Sequence, residues 1–327
     1  MRKFFVIVNK HANNGIAAQN WSMTEEVLQH KNIQYDKNFT TQPGDAYQLA
    51  HDFVATTPSL ALENYVILVV GGDGTLNDTI NGIKASGKQD VPVAFIPSGN
   101  NNSFAAGIGI AASPQKALEQ VLNATEPTYY DIGSYSDTLH GETGYFLNDF
   151  GIGIDAYIVS LQNQMKKHRL LQKLHLGFIP YLINIFEAHT NQEPFNVRVR
   201  VDNQYDFYKH AYLVNIANHP FYNGRNLQLT PQANASDHQL DLIIFENMNI
   251  FNFILLGIMI YFRKQLKLPS VHYYKKDAIH VSVNSLEFNQ VDGEEKGNKY
   301  FDVLFKSVRY PFWINPSSIP VKEREEK

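Results

Sequence analysis

A glycine-rich segment at residues 71–78, Gly-Gly-Asp-Gly-Thr-Leu-Asn-Asp, has the composition of a phosphate-binding loop. It follows a run of β-branched and leucine residues at 66–70 and precedes a stretch with helical spacing. Glycines let the backbone approach a ligand closely, and free N–H groups at a helix start attract phosphate oxygens. Asp73 would be repelled by a phosphate, so we expect it to hold a divalent cation, a water or a substrate hydroxyl. The segment alone is equally typical of a structural turn in which Asp73 caps the helix.

A second turn, at residues 97–105, is rich in small polar side chains and follows the next predicted strand. Parallel strands present their carboxyl ends at one edge of a sheet, so this turn could line the other side of the same site. Without the first turn, we would interpret it as an asparagine-rich structural loop.

A parallel sheet is needed to bring the two turns together, and the first third of the chain predicts one. Short apolar runs alternate there with amphipathic stretches, as in βαβ units. We predict strands at 4–8, 33–39, 66–70 and 91–96, and helices at 21–30 (with Ser22 as the N-cap), 45–55 and 76–85.

The chain after residue 131 has a different pattern, with more aromatic residues and strand-like segments. This pattern predicts a largely antiparallel second part, so the fold class is α/β plus β. The predicted strands are 144–150, 195–201, 211–217, 240–245, 278–283, 301–305 and 308–313, and the predicted helices are 162–188 and 250–265.

Composition excludes several functional classes. With 44% hydrophobic and 18% charged residues over 327 positions, the chain is globular and long enough for two domains. It has 28 Lys and Arg against 32 Asp and Glu, so no general basic field favours nucleic acid. It contains no cysteine, which excludes disulfides and thiolate metal sites and makes the cytoplasm the default expectation. The longest apolar stretch, 250–262, is too short to span a bilayer.

The two turns, each after a strand and in this order, resemble the catalytic domain of the diacylglycerol kinase family, which includes bacterial lipid kinases and sphingosine and ceramide kinases. The resemblance covers nearly the whole chain. Residues 9–15 resemble the family's nucleotide-binding Asn-Pro-x-x-Gly turn, with Lys10 at the proline position. Residues 72–78 match its signature loop, with Asp78 in place of a glutamate. Residues 131–133 and 148–156 match further blocks.

The resemblance implies an N-terminal βαβ nucleotide-binding domain of the NAD kinase and diacylglycerol kinase type, followed by a mainly antiparallel β-sandwich. We place the first domain at 1–131 with a C-terminal return at about 306–327, and the lipid-substrate domain at 132–305, with the active site in the cleft between them. The implied cofactors are ATP and Mg²⁺. The implied ATP-binding residues are Asn9, Thr40, Gly71, Gly72, Asp73, Gly74, Thr75, Asn77, Asp78, Gly99 and Asn100.

The same resemblance assigns catalytic and metal roles. The segment 292–294, Asp-Gly-Glu, matches a motif whose glutamate is the general base, which implies Glu294 as base together with Asp73 in catalysis. From the residues alone, 292–293 would be interpreted as a hairpin turn. Asp73 and Asp131 would position the catalytic magnesium. A second, structural magnesium would be held by the Asp237 carboxylate and by the carbonyl groups of Asn234 and Gln239.

Two departures from the family pattern lie in the second turn. Asn100 stands where the family has threonine, and Ser103 where it has an aspartate of the magnesium network. The loss of one carboxylate removes a negative charge near the metal. Metal affinity is then lower, or a neighbour such as Asp78 compensates, or the chain is a weak or altered kinase; we rank the first two together above the third.

The implied function is an ATP-dependent lipid kinase in phospholipid biosynthesis, transferring the γ-phosphoryl group to a lipid such as diacylglycerol. The alternatives are a kinase for a soluble alcohol, similar to NAD kinase, and a non-catalytic nucleotide or lipid sensor. We expect a cytoplasmic enzyme that is peripheral at the inner membrane face, and a homodimer stays open. The basic clusters, 166–169 with Lys173 and 263–267 with 275–276, are typical of solvated helix faces or of contacts with anionic head groups. The stretch 251–262 is more typical of core than of lipid contact.

Overall fold

The computed structural model describes residues 2–154, 193–222 and 227–325. The predicted helix at 162–188 and the basic residues 166–169 and 173 lie outside these ranges. Within them, no helix combines the length and the apolar character that crossing a bilayer requires.

The first part of the chain alternates strands and helices around a parallel sheet, as predicted. Its strands pair in the order β2-β1-β3-β4, all in parallel. The strands β3 and β4 are buried along almost their whole length, which explains their continuous apolar sequences. The elements are β1 (Lys3–Val8), α1 (Ile16–His30), β2 (Tyr35–Phe39), α2 (Asp45–Thr56), α3 (Ser59–Leu62), β3 (Tyr65–Gly71), α4 (Asp73–Ala85), β4 (Val93–Pro97), α5 (Ser103–Gly107) and α6 (Pro114–Leu122).

The second part is mainly antiparallel and contains one long helix among its described residues. Two strands are far longer than their sequence patterns predict, because β14 and β15 form a hairpin around the turn at 292–293. The elements are β5 (Thr128–Asp137), β6 (Glu142–Phe146), β7 (Asp149–Gly153), β8 (Phe195–Val201), β9 (Gln204–Ala217), β10 (Phe221–Tyr222), β11 (Leu227–Gln228), β12 (Leu240–Glu246), α7 (Ile250–Tyr261), β13 (Val271–Lys276), β14 (Ala278–Val291), β15 (Glu294–Phe312) and α8 (Val321–Arg324).

Strand β15 joins the two parts into one sheet. It pairs with β14 and β5 along most of its length and then meets β4, with Phe312 opposite Val93. The resulting path runs β13-β12-β9-β7-β14-β15-β4-β3-β1-β2. The sequence-based domain boundaries fall inside β5 and β15, so the division of the chain into two domains stays a prediction.

Several element predictions need correction. Helix α1 begins at Ile16 rather than at Ser22, whose hydroxyl donates to the Ala18 carbonyl inside the helix at 3.1 Å. The predicted strand at 144–150 is two strands, β6 and β7. The predicted strands 301–305 and 308–313 are one strand, β15, which ends at Phe312. The two strand errors have the same cause, because local patterns do not show where a pairing partner begins or ends.

The prediction that 251–262 is core is also wrong. Among the residues of α7 only Leu256 is buried, and Phe251 and Tyr261 are 78% and 81% exposed. The largest core cluster lies instead around β1, β3 and β4, and it includes Tyr310, Phe312 and Trp313 near the C-terminus. A second cluster fills the antiparallel part around Phe146, Phe150 and Phe305.

Candidate active site

The two polar turns meet backbone to backbone at the carboxyl ends of β3 and β4. A Cβ atom built on Gly99 would lie 2.6 Å from the Cα of Gly72, closer than real Cβ contacts allow. Gly99 therefore requires glycine, and a Cβ atom on Gly72 would be tight at 3.3 Å from the Gly99 Cα. The Ser98 amide donates to the Gly71 carbonyl at 2.6 Å, which continues the strand pairing into the turns.

The turn after β1 reaches the first of these loops. Asn9 donates through Nδ2 to the Thr75 Oγ1 at 3.1 Å, and its backbone N–H donates to the Val70 carbonyl at 3.0 Å. Thr40 is buried just after β2, where its N–H donates to the Val8 carbonyl at 3.0 Å. Four strand ends thus converge, as the parallel sheet predicts.

Asp73 stands at the start of α4 with one satisfied and one unsatisfied oxygen. Its Oδ2 accepts from the Ser103 N–H at 2.6 Å, from the Phe104 N–H at 3.4 Å and from the Asn148 Nδ2 at 3.4 Å. Its Oδ1 is buried and has no hydrogen-bond partner among the described residues. Burial raises the pKa of Asp73 to about 6 against the lowering effect of these donors.

Asp292 is fixed by four N–H donors. Its Oδ2 accepts from the Asn77 Nδ2 at 2.7 Å and from the Leu147 N–H at 2.8 Å, and its Oδ1 from the N–H groups of Asn148 at 2.7 Å and Asp149 at 3.1 Å. Burial raises its pKa to about 8, although the backbone donors lower it. This carboxylate binds α4 and the β6–β7 connection to the hairpin turn of β14 and β15.

Glu294 projects into a cavity of about 170 Å³ beside the first loop. A Cβ atom on Gly74 would lie 3.1 Å from the Glu294 Oε1, so this carboxylate is next to the start of α4. Asp78 lines the same cavity. Its burial and, to a smaller degree, repulsion from Glu294 raise the pKa of Asp78 to about 6. The cavity is lined by Gly74, Asn77, Asp78, Asn81, Tyr135, Tyr145, Val291, Asp292, Glu294 and Lys296.

Other predicted site residues are more dispersed. Asn100 is exposed at the tip of the second turn. Asp131 is buried in β5, where its carboxylate accepts from the His238 N–H at 2.7 Å and lies 3.0 Å from the His238 Nδ1. Asp131 thus shares no hydrogen-bonding partner with Asp73 in the described part of the chain, although the resemblance implies that they position one metal together.

Among the described residues, Asp73 fits a catalytic magnesium. The buried, unpartnered Oδ1 of Asp73 is an oxygen that a cation would satisfy. The described residues contain no group of three or more His, Asp or Glu side chains that could hold a metal ion. A magnesium ion at Asp73 would therefore take most of its other ligands from water or from a bound phosphate.

The residues around Asp237 do not fit the predicted structural magnesium. The Lys275 ammonium lies 2.6 Å from the Asp237 Oδ2, and it donates to the Gln232 carbonyl at 2.7 Å. The Asn234 carbonyl accepts from the Asp237 N–H at 3.4 Å, and the Gln239 N–H donates to the Asp237 Oδ1 at 3.1 Å. A cation of the protein itself therefore lies beside the carboxylate that the resemblance assigns to the metal.

Sequence reasoning missed three polar residues around the site. Asn148 connects Asp73 to the buried His219, whose Nε2 lies 2.8 Å from the Asn148 Oδ1. Burial lowers the pKa of His219 to about 3, so this imidazole is neutral at pH 7. Lys296 lies 3.1 Å from the Glu294 Oε2. The two-residue spacing of Glu294 and Lys296 on one strand was a signal that could have revealed this pair.

Comparison with protein families gives two matches that divide the chain. Residues 3–134 match the model of the diacylglycerol kinase catalytic domain. Residues 150–308 match the model of the YegS C-terminal NAD kinase beta sandwich-like domain. The α/β plus β fold class predicted from the sequence is confirmed by these matches together with the observed strands.

Curated relatives cover most of the chain at low identity. "Putative lipid kinase YtlR" of Bacillus subtilis is 26% identical over 304 residues, which are 92% of this chain and 96% of that protein. A "Putative lipid kinase" of Staphylococcus aureus is 25% identical over 240 residues, which are 73% of this chain and 71% of that protein.

Solved structures show the same fold. A putative diacylglycerol kinase from Bacillus anthracis superposes with a TM-score of 0.72 at 21% identity, over 97% of each chain. A second diacylglycerol kinase structure from that organism gives a TM-score of 0.65 at 18% identity, over 97% of this chain and 98% of the other. The architecture is therefore shared, while the residues of the site have to be judged from their own geometry.

Proposed function

The chain belongs to the diacylglycerol kinase catalytic-domain family, and from this premise we propose that it transfers the γ-phosphoryl group of ATP to the hydroxyl group of a membrane lipid such as diacylglycerol. The match of residues 3–134 to the kinase catalytic domain supports a kinase and implies ATP as the phosphate donor. The lipid acceptor, the roles of individual residues and a location at the inner membrane face belong to the proposal.

The observation that carries the proposal is the position of the Glu294 carboxylate next to Gly74, where a built Cβ atom would be 3.1 Å from the Glu294 Oε1. It places a carboxylate beside the loop whose backbone N–H groups would hold phosphate oxygens. A hydroxyl group bound in the cavity would donate its proton to Glu294 while its oxygen attacks the γ-phosphorus. The bond from the γ-phosphorus to the bridging oxygen breaks, and ADP leaves with the electron pair.

The remaining residues position the nucleotide. The loops at Asn9 and Gly99 contact the residues around the start of α4, where the helix N-terminus favours negative charge, and Thr40 directly follows the neighbouring β2. When bound, magnesium neutralises the charge that develops on the transferring phosphoryl group. Asp73 is the residue that we assign to hold it, because of its unpartnered buried oxygen.

The test is transfer of labelled phosphate from ATP with Mg²⁺ to diacylglycerol, sphingosine, ceramide, undecaprenol and monoacylglycerol in mixed micelles. We expect at least one labelled lipid. Glu294→Gln should lower kcat by roughly 100- to 10,000-fold and leave ATP binding nearly unchanged, because the amide cannot accept the proton. Glu295→Gln is the matched control, since Glu295 is the adjacent exposed carboxylate and does not line the cavity.

Two outcomes would contradict this assignment. A Glu294→Gln variant with full activity would remove Glu294 from the role of base. Phosphorylation of NAD or a sugar without lipid would favour a kinase for a soluble alcohol.

A sensor is favoured by one observation, the replacement of a family carboxylate by Ser103. Its backbone N–H donates to Asp73, so the turn keeps its structural contact without the second negative charge. ATP binding without transfer to any alcohol would support the sensor. Activity gained in Ser103→Asp would then show that the missing carboxylate is the cause.

A further inference from the structure

Helix α7 exposes one wide apolar face. Its exposed residues recur at intervals of three and four, which places them on one side of a helix. Between Ile250 and Phe262 there is no charged residue. The exposed fractions are 78% for Phe251, 57% for Ile254, 44% for Leu255, 51% for Ile258, 81% for Tyr261 and 60% for Phe262.

The opposite face fixes α7 to the protein. Leu256, with Phe253 and Ile260 beside it, packs on a small core that includes Ile243 and Phe245 of β12. At the start of the helix the Asn249 side chain accepts from the Asn252 N–H at 2.9 Å and so caps it. The exposed face is thus presented by a capped helix anchored from behind, which limits the entropy lost when it binds a partner.

Three cations border the apolar face at its C-terminal end. Arg263, Lys264 and Lys267 are exposed and form no ion pair with a described residue. The neighbouring strand is different, because there Lys275 and Lys276 pair with Asp237 and Asp202. An apolar face bordered by exposed cations has the chemistry of a surface for anionic lipid head groups and acyl chains.

The position of α7 connects this surface to the candidate active site. Helix α7 contacts β11, β11 pairs with β10, and β10 contacts α5. The first residue of α5, Ser103, donates its N–H to Asp73. A continuous path of packed elements therefore runs from the exposed helix to the turn that lines the phosphate site.

We propose that the docking face, defined as Phe251, Ile254, Leu255, Ile258, Tyr261 and Phe262 with the cations Arg263, Lys264 and Lys267, binds the surface of a bilayer that contains anionic lipid. The proposal rests on the proposed function, because a lipid acceptor resides in a membrane. A second copy of the chain fits less well, because the docking face carries three cations and no acidic residue that could pair with them across a two-fold contact.

The experiment is co-sedimentation with vesicles of phosphatidylcholine, with and without phosphatidylglycerol, in the absence of ATP. We expect binding that is stronger on anionic vesicles and weaker at high salt. Phe251→Ser combined with Ile258→Ser should weaken binding at least about tenfold, because both side chains leave the apolar layer. Arg263→Glu with Lys264→Glu should abolish the preference for phosphatidylglycerol, since each lost cation accounts for about a fivefold change.

Phe207→Ser is the matched control. Phe207 is an aromatic residue of β9 that is 68% exposed and outside the docking face, so this variant should bind as the unaltered protein does. Equal vesicle binding by the unaltered protein and by both docking-face variants would overturn the proposal. So would a dimer that Phe251→Ser with Ile258→Ser converts to a monomer in sedimentation velocity without any change in vesicle binding.

A short-chain, water-soluble diacylglycerol separates this proposal from the function on which it rests. If the docking-face variants phosphorylate it normally but fail on long-chain diacylglycerol in vesicles, both proposals are supported. If no lipid is phosphorylated by any variant while vesicle binding is still lost with the docking face, the lipid kinase function fails and the docking surface stands.

Discussion

Two regions of the molecule depart from the usual rule that charged groups are exposed and apolar groups buried. One is the loop edge of the sheet, where the turns after β1 to β4 meet, and the other is the outer face of α7. At the loop edge the carboxylates of Asp73, Asp149 and Asp292 are enclosed, and burial raises the pKa of all three. On α7 large apolar side chains face outward instead. Neither arrangement is what stability alone would select.

The two regions differ in how the unfavourable environment is offset. Asp292 has four N–H donors, so its enclosure is satisfied inside the protein. The face of α7 has no comparable partner among the described residues. The comparison teaches that the polar groups of the loop edge are held in place by the protein itself before a ligand binds. The apolar face of α7, in contrast, is suited to a binding partner outside the chain.

The largest effect that would sharpen this contrast is expected for Asp73→Asn. We expect phosphoryl transfer to fall by roughly 100- to 1,000-fold, because the negative charge assigned to the metal is lost. Stability should not fall. The amide oxygen can accept from Ser103, and the NH₂ group takes the place of the unpartnered Oδ1.

The measurement is kcat at saturating ATP together with the urea midpoint of the same preparation. A large loss of stability in Asp73→Asn would mean that this carboxylate is structural, as a helix cap would be. In that case the loop edge would differ from α7 only in how its side chains pack, and not in being prepared for a ligand.

A smaller effect, now on stability, is expected for Asn77→Leu. The substitution removes the Nδ2 group that donates to Asp292 at 2.7 Å and to the Tyr145 carbonyl at 2.9 Å. We expect the free energy of unfolding to fall by about 1–3 kcal/mol, since the Asp292 carboxyl group and the Tyr145 carbonyl each lose a donor. Urea denaturation measures it.

Asn100→Leu is the control for Asn77→Leu, because Asn100 is an exposed asparagine of the neighbouring turn. Its effect should stay within about 0.5 kcal/mol. Equal effects of the two substitutions would show that the hydrogen bond from Asn77 to Asp292 does not stabilise the folded protein.

The smallest effect concerns pH. A folded-state pKa of about 8 for Asp292, against 3.8 for an ordinary aspartate, means that the folded protein binds more protons than the unfolded chain between these values. Stability from this group is therefore full at low pH and is lost as pH rises through about 8. We expect Tm to fall by about 3 °C between pH 6.5 and pH 8.5.

The pH window is chosen to avoid an opposing group. His219, with its pKa lowered to about 3, makes the folded protein less stable at acid pH and acts mainly below pH 6.5. Asp73→Asn should show the same fall in Tm, because Asp73 titrates near pH 6. A Tm that rises across the window would contradict the assignment to Asp292.

The parallel part of the fold and the convergence of its loops were predictable from the sequence. Buried parallel strands have continuous apolar sequences, and the glycines at 72 and 99 mark the close approach of two turns. The family resemblance added Glu294, which the structure brings to the cavity that the first loop lines. The sequence around Glu294 predicts only a hairpin turn at 292–293 and does not by itself indicate a catalytic role for Glu294.

The rest depended on contacts between distant positions. The pairing of Lys275 with Asp237, and of Asp131 with His238, joins residues whose local sequences carry no sign of each other. The exposure of α7 was not predictable either, because a helix that is apolar on nearly every side has the same sequence pattern in a core as on a surface. Only the packing of Leu256 shows which side is covered.

The position of β15 has a consequence for synthesis of the protein. It is the last strand of the described chain, yet it lies in the interior of the sheet, with β14 on one side and β4 on the other. Until it emerges from the ribosome, β4 lacks the neighbour that it meets at Phe312, and β5 lacks its long antiparallel partner. The nascent chain therefore exposes unpaired strand edges for most of its translation, and we expect chaperones to matter for its yield.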